Sequence, residues 1–178
     1  MNSIQVKDKK FEILIAESQI KRKIKQLAGE INRDMKGMNP FFLGILNGSF
    51  MFASDLLKEI TIPCQISFMK LASYQGMAST GVIKEVIGLS ESIKGRHVIV
   101  IEDIIDSGFT MRNTLENLGT REPASISVCS LLLKPGKLEV ELDIKYLAFS
   151  IPDDFIVGYG LDYCGFGRNT KDIYSVIE

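Results

Sequence analysis

Tryptophan is absent from the 178 residues, histidine occurs once, as His97, and cysteine three times, as Cys64, Cys129 and Cys164, with no CxxC pair. So few thiols and imidazoles supply neither a disulfide framework nor the ligand spacing of a zinc site. None of the cysteines has an evident histidine partner, so all three are expected to be passive, and His97 is expected to open a strand without catalytic duty. Charge of one sign is not in excess: 21 Lys and Arg face 22 Asp and Glu, a net charge of −1. That balance argues against a nucleic-acid-binding face, which normally carries surplus positive charge. Long apolar runs are missing too. Stretches such as Phe41–Leu46 fall far short of the roughly 20 residues a membrane span needs. Lys7, Lys9 and Lys10 precede Phe11–Ala16, but Glu12 interrupts that apolar segment and no small-residue cleavage site follows, so it does not read as a signal peptide. Reduced cysteines and no export signal point to the cytoplasm.

What is present is the mix of a soluble globular protein, 46% hydrophobic and 24% charged. The length suits one domain with at most a small subdomain, and a core needs no staples at this size. No repeat or low-complexity segment occurs. Ile20, Ile24, Leu27, Ala28 and Ile31 recur at helical spacing, which predicts an amphipathic helix over Glu17–Asp34. Phe41–Leu46 reads as a buried strand, Phe50–Ile60 as a helix and Ile62–Leu71 as a strand. Ala72–Gly81 reads as a loop leading into a strand at Val82–Leu89. His97–Ile101 is apolar on both faces, as a fully buried strand requires. A helix to Gly119, a strand at Ile126–Leu133, short strands at Tyr146–Phe149 and Phe155–Val157, and a last strand within Asp172–Ile177 complete the pattern. Strands alternating with helices predict an α/β fold around a mainly parallel sheet, with ligands at the carboxyl ends of the strands.

The segment Val98–Met111 carries the most chemistry. A buried strand ends in the paired carboxylates Glu102 and Asp103. Two apolar residues later, Asp106 opens a tight turn in which Ser107 and Thr110 flank Gly108 and Phe109, and a helix follows directly. Backbone N–H groups, hydroxyls and a helix N-terminus form an anion site suited to phosphate. Adjacent carboxylates suit sugar hydroxyls or a hydrated Mg²⁺. Taken alone, Asp-Ser-Gly is a helix cap on a glycine-shaped turn, but a cap explains neither the acid pair nor its register with the strand.

This stretch resembles the signature of type I phosphoribosyltransferases, which bind phosphoribosyl diphosphate (PRPP). The resemblance implies the fold of that family: a mainly parallel central sheet flanked by helices in one domain, residues 1–178, with a small hood built from the N- and C-terminal segments. It also implies that Glu102 and Asp103 hold the ribose hydroxyls and a Mg²⁺, that Ser107, Gly108, Phe109 and Thr110 cradle the 5′-phosphate, and that Asp106 is the general acid/base. Phe109 stands where purine-using members often carry Lys.

The C-terminal third resembles the base-binding region of hypoxanthine-guanine phosphoribosyltransferases: Lys134 after a strand, then Phe155-Ile156-Val157-Gly158-Tyr159-Gly160-Leu161-Asp162, then Arg168. A lysine ammonium only donates hydrogen bonds, so it suits the O6 acceptor of a 6-oxopurine and opposes the amino group of adenine. The resemblance assigns Phe155 to stacking on the base, the Ile156 backbone to its pyrimidine edge, Asp162 to a second Mg²⁺ and Arg168 to pyrophosphate. Leu46-Asn47-Gly48-Ser49 matches the loop that binds pyrophosphate through backbone N–H groups, with a cis peptide bond between Leu46 and Asn47. Asn47 replaces the lysine common in relatives. Ser73 and Tyr74 match the start of a lid over the active site, about Ala72–Lys84, that would exclude water. Lys70 and Lys137 are weaker candidates for contacts to pyrophosphate and to the base side.

The implied reaction joins hypoxanthine or guanine to PRPP, giving the nucleotide and pyrophosphate, in a homodimer or homotetramer that binds neither nucleic acid nor membrane. Three alternatives are weighed against it. One is a nucleic-acid-binding regulator on the same fold, which the neutral charge and Asp106 oppose. Another is transfer to xanthine, adenine or uracil, of which Lys134 and the Phe155–Asp162 segment oppose the last two. The third is a receiver-type domain with an acidic pocket, which leaves the phosphate loop unexplained.

Overall fold

The computed structural model describes residues 3–73 and 83–177. The chain runs β1 (Ser3–Val6), β2 (Lys9–Ile15), α1 (Glu17–Asp34), β3 (Phe41–Leu46), α2 (Phe50–Glu59), β4 (Gln65–Ser73), β5 (Ile83–Ile87), β6 (His97–Ile105), α3 (Phe109–Gly119), β7 (Ser125–Leu133), a 3₁₀ turn (Pro135–Lys137), β8 (Tyr146–Ser150), β9 (Ile156–Val157) and β10 (Ile173–Val176). A six-stranded sheet has the order β5-β4-β3-β6-β7-β8. Its five strands from β4 to β8 are parallel, and β5 joins β4 antiparallel.

The unbroken apolar runs follow from burial on both faces. In β6, Ile99 and Ile101 pack with Ile20, Ile24 and Leu27 of α1 and Phe52 and Leu56 of α2. Val98 and Val100 point the other way, into the core that holds Met111 and Leu118 of α3. Strand β3 divides likewise, Phe42 to the first core and Phe41, Leu43 and Ile45 to the second. Period-two alternation of direction thus requires apolar residues at consecutive positions.

A second sheet, antiparallel, has the order β1-β2-β10-β9. Its own core is Val6, Phe11, Val157 and Tyr174. Apolar spacing predicts neither β1 nor β2, and β9 and β10 pair into this sheet and not the main one. Four and seven residues with mixed periodicity carry little strand signal without the partner that buries Phe11.

Helix α1 begins without a local polar cap, since its N-cap is Ala16. Gln19 Oε1 accepts the Ala16 N–H at 3.0 Å, and Asp172 Oδ1, from the far end of the chain, accepts the Glu17 N–H at 2.7 Å. Asp172 thus does from the C-terminal segment what an N-cap side chain does locally. Among the described residues no helix is long and apolar enough to cross a membrane.

Candidate active site at the strand switch point

The chain leaves β3 toward β4 on one side and later returns through β6 toward β7 and β8 on the other. The order therefore reverses between β3 and β6, and a crevice at the carboxyl ends of those two strands is the expected ligand position. Their pairing stops at Gly44 and Ile101. Beyond it, β6 continues for four residues against β7 alone, pairing Glu102 with Ser130 and Ile105 with Leu133. The sequence reading ended this strand at Ile101. The structure corrects that: Glu102 and Asp103 lie within the strand, because β6 goes on pairing with β7 after β3 has turned away.

The two acids differ sharply. Glu102 is 9% exposed, and burial first, then the neighbouring Asp103 charge, pushes its carboxyl well above the usual range. Its Oε1 accepts the Asp103 N–H at 3.2 Å. Asp103 instead reaches across the crevice to Gly48, where any Cβ would overlap its carboxylate. The loop carrying Gly48 begins with a cis peptide bond between Leu46 and Asn47, as the resemblance implied. Ser49 is fully buried and donates its hydroxyl to Ile45 O at 2.6 Å. Its side chain thus anchors the loop and is not turned toward a ligand.

On the β6 side, a pocket of about 240 Å³ is lined by Ile45, Glu102, Asp106, Ser107, Gly108 and Thr110 among others. Gly108 has φ +86°, and no side chain caps the N-terminus of α3 that it opens. A Cβ on Gly108 would come within 3 Å of Leu138, Val140 and Leu142. The 138–142 segment therefore packs against the turn, and Glu139 donates its N–H to Ser107 O at 3.0 Å. The uncapped helix end is a natural anion site.

Lys134 follows β7 and is only 7% exposed. Its ammonium lies 3.8 Å from Asp106 Oδ1 and 3.6 Å from Asp153 Oδ1. Asp153 in turn accepts from Lys137 at 2.8 Å, and that hydrogen bond holds its carboxyl below, and the Lys137 ammonium above, their ordinary ranges. In the sequence Asp153 falls only in the connection between the strands expected at Tyr146–Phe149 and Phe155–Val157. Two lysines three residues apart beside one carboxylate-rich turn were the available signal, but nothing local said that the turn folds back onto them.

Phe155 is 44% exposed and sits edge-on to Tyr163, ring centroids 5.6 Å apart, and 6.2 Å from Phe11. Those neighbours hold the ring while part of it stays open. The Ile156 side chain is buried, and its backbone belongs to β9. Asp162 and Arg168 meet each other, Arg168 Nη2 lying 2.6 Å from Asp162 Oδ1, while Oδ2 takes the Gly165 N–H at 2.6 Å and Arg168 Nη1 donates to Gly160 O at 2.7 Å. Glu102, Asp103 and Asp162 do not form one cluster of three metal ligands among the described residues. The Gly158–Arg168 loop reaches the crevice through Gly160, whose φ is +99° and whose position would drive any Cβ into Gly48 O. Tyr159 tethers the same loop to α2, donating its hydroxyl to Asp55 Oδ2 at 2.7 Å. Tyr74 and most of the expected lid lie outside the described residues, and Ser73 ends β4.

Comparison with known proteins decides the family. The model of the phosphoribosyl transferase domain matches residues 12–164. The chain belongs to this family. As a phosphoribosyl transferase it is 44% identical over 169 residues to the hypoxanthine phosphoribosyltransferase of Salmonella typhimurium, covering 93% of this chain and 95% of that protein. It is 41% identical over 153 residues to the hypoxanthine-guanine phosphoribosyltransferase of Streptococcus pneumoniae, covering 85% of each. Among solved structures it resembles a hypoxanthine-guanine phosphoribosyltransferase of Bacillus anthracis, with a TM-score of 0.89 and 40% identity over 93% of this chain and 98% of that one. Membership of the phosphoribosyl transferase family sets the receiver-domain alternative aside.

Proposed function

We propose that this enzyme salvages purines, transferring the phosphoribosyl group of PRPP to hypoxanthine, guanine or both. The observation that carries the reading is the pairing of Lys134 and Asp106, 3.8 Å apart at the end of β7 and the turn after β6. In a 6-oxopurine, O6 and N7 lie on one edge. A donor beside an acceptor matches O6 and a protonated N7 side by side. With adenine, the ammonium would face an amino group, and its donor toward the base would stay unsatisfied in a nearly buried position, a strong penalty.

In this reading N9 of the base attacks the anomeric carbon, pyrophosphate departs, and the N7 proton passes to Asp106. Ser107–Thr110 and the α3 N-terminus hold the 5′-phosphate. The Leu46–Ser49 amides take the leaving pyrophosphate, aided by Ser73 and Tyr74. Phe155 stacks on the base, and the Ile156 backbone meets its far edge. Arg168 serves pyrophosphate once its bond to Asp162 opens. The antiparallel sheet of N- and C-terminal strands serves as the hood.

Glu102 and Asp103 fit a Mg²⁺. Both offer hard oxygen donors, and the ion commonly takes only one or two carboxylates plus substrate oxygens. Asp162, with both oxygens engaged, would join second. Bound Mg²⁺ supplies positive charge to the departing pyrophosphate. The assembly is proposed as a homodimer or homotetramer in the cytoplasm.

The test is PRPP- and Mg²⁺-dependent nucleotide formation with hypoxanthine, guanine, xanthine, adenine and uracil, with Asp106→Asn alongside. Turnover of 6-oxopurines that falls about 10²- to 10⁴-fold in the variant is expected, the range general acid/base catalysis contributes. Wild-type kcat in Asp106→Asn would remove its assigned role.

A further inference from the structure

We propose that Asp153 is the positioning residue that keeps Lys134 poised between its counter-ions, and that Lys137 limits its grip. The inference rests on the reading of Lys134 as the donor to O6. An ammonium this deeply buried must be compensated by negative charge. It has two partners, both beyond the 2.7–2.9 Å of a direct charge-assisted hydrogen bond: Asp106 at 3.8 Å and Asp153 at 3.6 Å. Lys134 is therefore held by attraction from two sides, with neither carboxylate oxygen closer than 3.6 Å. The reason Asp153 does not close on it is visible in one atom. The same Oδ1 that faces Lys134 already takes the direct hydrogen bond from Lys137, at 2.8 Å.

Removing Asp153 leaves Asp106 as the one remaining carboxylate of that pair. Lys134 then closes on Asp106, and the site loses its O6 donor and encumbers its proton acceptor together. Removing Lys137 frees Oδ1, and Asp153 draws Lys134 the other way. Both substitutions withdraw Lys134 from the base, by opposite motions, while leaving the phosphate turn and the Leu46–Ser49 loop alone.

Steady-state kinetics of Asp153→Asn should show the KM for the 6-oxopurine rising about tenfold, the size of one lost hydrogen bond to a charged group, with the KM for PRPP within twofold of wild type. Asp153→Glu should restore most of the loss, and Lys137→Ala should raise the same KM. The independent readout is the ¹⁵Nζ resonance of Lys134 in the substrate-free enzyme. It should move in Asp153→Asn and Lys137→Ala and return toward wild type in Asp153→Glu. An unmoved resonance, or equal changes in both KM values, overturns the positioning role. A resonance that moves in an enzyme that turns over no 6-oxopurine supports the positioning and refutes the base assignment.

Discussion

Replacing Gly160 by alanine tests whether the Gly158–Arg168 loop braces the Leu46–Ser49 loop. Two costs combine there. At φ +99° an alanine is strained by about 1–3 kcal/mol, and its Cβ would also overlap the Gly48 carbonyl oxygen. Overpacking against groups that cannot yield costs about another 1–3 kcal/mol. Gly165→Ala separates these terms. Gly165 has φ +85°, but nothing lies within 4 Å of its would-be Cβ. It carries the strain alone, partly offset by about 0.4–1 kcal/mol from a less flexible unfolded chain. For a chain of this size each kcal/mol lowers Tm by about 2–4 °C. Gly165→Ala should thus lose a few degrees, and Gly160→Ala about 5–15 °C. Because relief comes from displacing the Gly48 peptide, the KM for PRPP should rise in Gly160→Ala and stay near wild type in Gly165→Ala. Thermal unfolding by circular dichroism and PRPP titrations at saturating base read both. Equal Tm losses with an unchanged KM for PRPP would refute the brace.

Tyr159→Phe removes the hydroxyl bound to Asp55 and should cost about 1–2 kcal/mol in urea unfolding at pH 7. Burial raises the Asp55 carboxyl, but hydrogen bonds from Lys58 and Tyr159 outweigh it and leave its pKa below the ordinary 3.8. A depressed carboxylate adds stability above its unfolded value that fades as pH falls through the folded one. The gap between wild type and Tyr159→Phe should therefore shrink below about pH 3.8; a gap that widened would contradict the pairing. Asp172→Ala should cost about 1 kcal/mol, as a lost N-cap does, with faster hydrogen exchange confined to the first turn of α1. Lys134→Met should raise the KM for hypoxanthine about 10- to 100-fold, since a charged hydrogen bond is worth about 1.5–3 kcal/mol. It should leave stability close to wild type, because Asp106 and Asp153 are each about half exposed; a large stability loss would show that Lys134 is structural.

The main sheet and its helices were legible because their signals are local. Ile20 to Ile31 at helical spacing marks α1 to the residue, and short β-branched apolar runs such as Val98–Ile101 read as strands buried on both faces. The acid pair, the Asp106–Thr110 turn and Lys134 were legible for a related reason. A phosphate turn must join a strand to a helix within a few residues, so its chemistry is contiguous. Tertiary structure alone decided the rest. The end of β3–β6 pairing at Gly44 and Ile101 opens the crevice, and no residue in either strand announces it. Asp153 beside Lys134, Gly160 against Gly48, Tyr159 on Asp55 and Asp172 on the start of α1 join positions 19 to 155 residues apart. Local preference fixes which segments are strands and helices. Which carboxylate compensates a buried ammonium, and which glycine meets a carbonyl, depends on how those segments are brought together, because charge compensation and close packing act through space and not along the chain.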